Sequence, residues 1–145
     1  MPRQARLLVS GGLYHVMARG IERRAIFSDT ADCQEFVDRL EDSLKKSACR
    51  CLAWVLMPNH FHLLIQSGKE GTPPLMRRLM TGYAVYFNWR HRRSGHLFQN
   101  RYKAILCEGE AYLMELVRYI HLNPLRGKVV DSLESLEQFP WSGHR

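Results

Sequence analysis

No stretch of these 145 residues approaches the ~20 consecutive apolar residues that a membrane span needs. Leu7-Leu8-Val9 is too short for the apolar region of a secretory leader, so no targeting segment is expected. Cysteine is scarce as well: the four, Cys33, Cys49, Cys51 and Cys107, form no C-x-x-C pair. That excludes a disulfide-stapled scaffold and points to reduced, packing thiols in a cytoplasmic protein. Acidic side chains are outnumbered, 14 against 21 basic ones, for a net charge of +7. An excess of that size favours a polyanionic partner, with nucleic acid ahead of a membrane surface. What is present is ordinary for a folded chain: 46% apolar and 24% charged residues, which sets disorder aside. No internal repeat or linker interrupts the chain, so the expectation is one domain over 1–145, with a core at about 13–126 and a short polar tail at 127–145.

The most informative stretch is Trp54-Val55-Leu56-Met57-Pro58-Asn59-His60-Phe61-His62-Leu63-Leu64-Ile65. Strand side chains repeat every two residues, so His60 and His62 share one side while Phe61 and Leu63 face the other, into a core. Met57-Pro58-Asn59 reads as a tight turn, which makes Cys51–Leu56 and His60–Gln66 the arms of a hairpin. The two imidazoles therefore sit at a strand start, near the sheet rim. Cys49 and Cys51 add zinc-type ligands to the neighbourhood, but they lie far from the turn along the hairpin, so a structural zinc is disfavoured.

Leu13–Arg19 alternates and ends at Gly20, a first strand. Within it His15 reads as a strand histidine facing a neighbour rather than a ligand. Asp29 or Thr30 caps a helix over 31–48, where Phe36, Val37, Leu40 and Leu44 recur at helical spacing. After the hairpin a loop with Gly68, Gly71, Pro73 and Pro74 resets the chain for a second helix, Leu75–Arg90. Leu97–Leu106 reads as the last strand, with Arg101 and Lys103 on one face. Glu108–Leu122 is a final helix broken by Pro124, and Phe139 and Trp141 are expected to fold back on the body. Strand, helix, strand, strand, helix, strand, helix is the order of a ferredoxin-like α+β domain: a split βαβ antiparallel sheet with helices on one face and an added C-terminal helix.

That last helix carries Arg118-Tyr119-Ile120-His121-Leu122-Asn123-Pro124. Four helical positions turn the chain by ~400°, so Tyr119 and Asn123 lie on nearly one face, roughly 6 Å apart. His121 is rotated away and reads as structural or exposed. Tyr112, seven residues before Tyr119, shares its face and is a rival nucleophile on spacing alone. A phenol is a poor nucleophile at neutral pH unless a cation or base assists it. Two imidazoles and an amide oxygen make a neutral ligand set for Mg²⁺ or Mn²⁺, with positions left for phosphate oxygens. Arg77, Arg78, Arg90, Arg92, Arg93, Arg101 and Lys103, interleaved with aromatics, are the candidate phosphate contacts.

Pro58-x-His60-Phe61-His62 and the downstream Tyr119-Ile120-x-Leu122-Asn123-Pro124, with Gly95-x-Leu97-Phe98-Gln99-Asn100-Arg101-Tyr102 between them, resemble the HUH-endonuclease tyrosine transposases that act on single strands. Within that group the chain is most similar to the bacterial REP-associated tyrosine transposases, over roughly Tyr14 to Trp141. The resemblance implies that His60 and His62 bind a divalent metal, that Tyr119 is the catalytic tyrosine, and that Asn123 stands at the third, helix-borne ligand position, where relatives often carry glutamine. It implies cleavage of single-stranded DNA near hairpins through a transient 5′-phosphotyrosine, with resealing to another end. It leaves monomer and homodimer both open. Two other classes compete on the residues alone. One is a non-catalytic single-strand binding module that stacks bases on Tyr83, Tyr86, Phe98 and Tyr102. The other is a metal-assisted hydrolase that uses water and never traps protein on DNA.

Overall fold

The structure, a computed structural model, describes residues 11–107, 110–126 and 140–141. Four strands, β1 (Leu13–Arg19), β2 (Arg50–Met57), β3 (His60–Gln66) and β4 (Lys103–Cys107), form one sheet in the order β2-β3-β1-β4, and each neighbouring pair is antiparallel. Helices α1 (Thr30–Ser47) and α2 (Pro73–Arg90) pack on one face, as the amphipathic spacing predicts. Helix α3 (Glu110–Arg126) closes the other face. This is the ferredoxin-like order with one helix added.

The two faces follow from the period of two. Phe61, Leu63 and Ile65 of β3 and Tyr14, Val16 and Ala18 of β1 point to the α1–α2 side, where Phe36, Leu40, Leu79 and Tyr83 complete the main core. Ala53, Val55, Met57 and Leu64 point the other way and meet Leu116 and Ile120 of α3. The side chains of His15, His60 and His62 therefore lie on the α3 side, at the end of the sheet where the apolar contacts stop.

Helix α1 begins where Asp29 Oδ1 accepts the Asp32 N–H at 3.1 Å, a side-chain cap. Asp32 is buried, and its carboxylate gathers the Ser28 N–H (2.9 Å), Tyr86 Oη–H (2.9 Å), Arg90 Nη1 (2.7 Å) and His91 Nε2 (2.9 Å). The start of α1 is thus tied to the end of α2. Burial alone would raise the Asp32 pKa, but these hydrogen bonds outweigh it and hold the carboxyl below its ordinary value.

The hairpin turn is clamped from outside. Pro58 O accepts the backbone N–H of Ile26 at 2.8 Å and of Phe27 at 3.2 Å, and Asn59 O accepts that of Gly20 at 2.8 Å. Gly20 has no room for a side chain, since a Cβ there would lie 2.1 Å from Arg24 O. One tight loop after β1 thereby fixes the position of the turn that launches His60.

Three sequence expectations change. The last strand is shorter than 97–106: only Lys103–Cys107 pairs with β1, and Leu97 and Phe98 are buried as a loop whose one bridge joins Phe98 to Gly20. Arg101 is therefore a loop residue. The final helix does not break at Pro124 but runs to Arg126, because a proline in the last turn costs little when few further intrahelical bonds depend on it. The added helix α3 lies over β2 and β3, on the face opposite α1 and α2. Tyr83, Phe98 and Tyr102, assigned to base stacking in the binding-module reading, are buried, and Tyr86 is hydrogen-bonded to Asp32. Trp141 does fold back: its carbonyl accepts the Leu56 N–H at 2.9 Å and its ring packs on the main core. Phe139, Glu108 and the side chain of Tyr112 lie outside the described residues. Among the described residues no helix is long and apolar enough to cross a membrane.

Candidate active site

The site is built where β3 starts, beside β1 and under the last turns of α3. His60 and His62 stand side by side with ring centroids 5.1 Å apart and rings nearly perpendicular, at 88°. His62 is 4% exposed and Asn123 8%. The Asn123 amide reaches from α3 to the pair: its Nδ2 lies 3.4 Å from His62 Nε2, and the same side chain hydrogen-bonds His60. The helical spacing of four turns Tyr119 to the same place, with its ring centroid 5.6 Å from that of His62. Tyr119 is 38% exposed.

A third histidine belongs to this cluster. His15 Nε2 and His62 Nδ1 are 2.9 Å apart, both residues are buried, and the rings stack at 5.1 Å. Local sequence shows only that His15 has a strand position. That it lies beside His62 depends on the β1–β3 register, which pairs Met17 with His62 and His15 with Leu64. On the other side of the site the Asn59 side chain holds His60, Nδ1 to Oδ1 at 2.7 Å. Burial lowers the pKa of His15, His60 and His62, and that of His62 falls to about 3 with His15, His60 and Arg19 adding to the effect. All three imidazoles are neutral at physiological pH, the state in which a histidine nitrogen can be a ligand.

A cleft of about 240 Å³ opens in front of these groups, lined by His60, His62 and Tyr119 together with Arg19, Arg101 and Lys103. Gln99, Asn100 and Arg101 also line a second groove, of about 680 Å³, that runs from the cleft to the exposed side of α2. Of the seven basic residues singled out from sequence, only Arg101 and Lys103 border the cleft. Arg19 joins them and was not anticipated, since a strand-end arginine carries no local signal. Arg90 is engaged elsewhere: its guanidinium pairs with Asp29 at 2.6 and 2.7 Å and with Asp32. Arg93 Nη1 donates to Asn88 Oδ1 at 2.7 Å and its Nη2 to His96 O at 3.0 Å, while Arg92 is exposed. Arg77 and Arg78 are exposed near the start of α2, roughly 18 Å along the helix from Arg90.

The residues present fit a divalent ion. Two imidazoles and the Asn123 side-chain amide, with Nδ2 the atom nearest His62, converge from β3 and α3, all neutral, and two of the three side chains are nearly inaccessible. Among the described residues no cluster of three His, Cys, Asp or Glu side chains makes a closed cage. The cysteines take no part: Cys51 pairs with Ile65, roughly 17 Å along the hairpin from His60, and burial pushes its thiol up to about 12.

Fold and site together define an α+β domain in which a helix-borne tyrosine meets a pair of strand histidines. The family model described as "Transposase IS200 like" matches residues 8–123, and the chain belongs to that family. Among solved structures, it is similar to the REP-associated tyrosine transposase bound to a REP hairpin, with a TM-score of 0.79 at 19% identity over 98% of this chain and 82% of that one. It is also similar to a protein of Deinococcus radiodurans R1 solved under a transposase name, with a TM-score of 0.56 at 19% identity over 82% of this chain and 95% of that one. At such identity these two likenesses concern the fold. No curated relative matches the sequence.

Proposed function

We propose that this IS200-like transposase is a divalent-metal-dependent endonuclease and strand-transferase. Its substrate is single-stranded DNA beside a hairpin, and Tyr119 is the nucleophile. The observation that carries the reading is the convergence of the Tyr119 ring and the Asn123 amide, one helical turn apart, on the His60–His62 pair. Membership of the transposase family and the hairpin in the structure of its fold neighbour support it.

His60, His62 and Asn123 would hold Mg²⁺ or Mn²⁺, which supplies Lewis-acid polarisation of the scissile phosphate. Arg19, Arg101 and Lys103 would bind the phosphates on either side and set the strand in the cleft. The second groove extends their path toward α2 and is wide enough to seat flanking nucleotides. Tyr119 Oη attacks phosphorus; the Oη–P bond forms, the P–O3′ bond breaks, the phenolic proton passes to water and the departing O3′ takes one up. The products are a 5′-phosphotyrosine and a free 3′-hydroxyl. Attack by another 3′-hydroxyl reverses the step and joins a new end, because the phosphodiester energy is conserved in the link.

The test is incubation with single-stranded hairpin oligonucleotides and Mn²⁺, resolved on a denaturing gel. A protein band shifted by covalent DNA is expected from the wild type. It is lost in Tyr119→Phe and in EDTA, while hairpin binding changes by less than about threefold. Cleavage without an adduct would favour a water-using hydrolase, and binding without cleavage a recognition module. Loss of the adduct only in Tyr112→Phe would transfer the nucleophile's role to that residue.

A further inference from the structure

The contact between His15 and His62 has no part in the scheme above, and its geometry restricts what His62 can do. A neutral imidazole carries one N–H, so the two ring nitrogens of His62 have opposite roles. Its Nε2 faces α3, where the Asn123 Nδ2 lies 3.4 Å away as a donor. That long contact favours a lone pair on Nε2 and hydrogen on Nδ1 without enforcing either. Nδ1 faces His15 Nε2 at 2.9 Å, and both residues are buried, at 4% and 5% exposure. A buried N–H without an acceptor would cost about 1–3 kcal/mol. His15 Nε2 is the acceptor, and to accept it must itself be unprotonated.

We propose that His15 is a positioning residue that fixes His62 in the Nδ1–H tautomer, with the Nε2 lone pair turned to Asn123 of α3. It is not a further ligand in this reading, because its Nε2 is engaged by His62 Nδ1 at 2.9 Å. Asn59 holds His60 by the same nitrogen, Nδ1, at 2.7 Å. The two site histidines are thus held from behind by residues of different elements, β1 and the hairpin turn. Outer partners of this kind set ring orientation and tautomer, and their loss typically costs 10–100-fold in metal affinity. The consequence for metal affinity rests on the metal-dependent reading; the tautomer does not.

Two measurements on the full chain separate the two. Long-range ¹H–¹⁵N correlation spectra of the metal-free protein report which nitrogen of His62 carries hydrogen. The expected result is Nδ1–H in the wild type, a shift to Nε2–H or a mixture in His15→Leu, and the wild-type state in His15→Gln, whose Oε1 reaches the position of Nε2. His15→Asn, whose amide is too short, should behave as leucine does and serves if the leucine variant fails to fold. Titration with Mn²⁺, followed by the electron paramagnetic resonance of the free ion, should show affinity lowered about 10–100-fold in His15→Leu and restored in His15→Gln. An unchanged His62 tautomer in both His15→Leu and His15→Asn would overturn the proposal. Wild-type Mn²⁺ affinity in a variant whose tautomer has shifted would overturn its consequence for the metal. Mn²⁺ binding indifferent to His62→Ala would instead overturn the metal-dependent reading, and the tautomer result would still decide the role of His15.

Discussion

Asn123 is the shortest arm of the site, and its reach decides how α3 must sit. An amide one methylene longer would carry its oxygen further toward His60 and His62 without moving the helix, so Asn123→Gln is expected to keep Mn²⁺ affinity within about threefold of the wild type. Asn123→Ala leaves the histidines in place and removes one of the three proposed ligands, and affinity should fall about tenfold or more. Calorimetric titration of the two variants tests this. Equal affinity of Asn123→Ala and wild type would remove Asn123 from the ligand set. Tyr119 differs in kind. At 38% exposure its ring contributes little to the core, so Tyr119→Phe should unfold within about 0.5 kcal/mol of the wild type while losing all covalent attachment.

Two junctions between elements hold the site's frame, and each can be broken singly. Asp32 joins the start of α1 to the end of α2 through Tyr86, Arg90 and His91. Asp32→Asn should lower stability by about 1–3 kcal/mol, since the Ser28 N–H, the Tyr86 hydroxyl and His91 lose the buried carboxylate as acceptor while Arg90 keeps its pair with Asp29. The pH dependence has a definite sign. A carboxyl held below its ordinary 3.8 stabilises fully above that pH and loses its contribution as pH falls through the lower folded value. The wild type's advantage over Asp32→Asn should thus be constant from pH 5 to 7 and close below about pH 3.8, as denaturant melts across pH will show. The second junction is the loop after β1. Gly20→Ala forces its Cβ against Arg24 O and must move the backbone that clamps Pro58 and Asn59. A loss of about 2 kcal/mol or more is expected, with amide chemical shifts perturbed at Asn59 and His60, far along the chain from the substitution.

At the scale of the whole molecule, the basic charge is divided between separate surfaces. Arg101 and Lys103 border the cleft, whereas Arg77 and Arg78 stand near the far end of α2. Replacing Arg101 and Lys103 by alanine should lower the slope of log K against log salt for a single strand by about 1.4, at ~0.7 per released phosphate contact. Replacing Arg77 and Arg78 should change it by less than about 0.5, and the reverse result would move the strand to the other end of α2. Trp89 is 80% accessible on α2, next to Asn88 of the second groove, and an exposed indole there can stack on a base. Trp89→Ala should weaken binding about fivefold or more if the strand leaves the cleft by that route. Much of this layout was legible before any coordinates. The alternation in Leu13–Arg19 and His60–Gln66, the helical spacing of Phe36, Leu40 and Leu44, and the interval of four between Tyr119 and Asn123 are local periodicities, fixed by backbone geometry, and they determined the elements and which side chains share a face. Pairing is different, because it depends on strand register and on which face of the sheet a helix covers. Only the tertiary structure could therefore decide that His15 backs His62, that Arg19 enters the cleft while Arg90 is consumed by Asp29 and Asp32, and that α3 crosses to the face opposite the other helices and brings its tyrosine to the histidines.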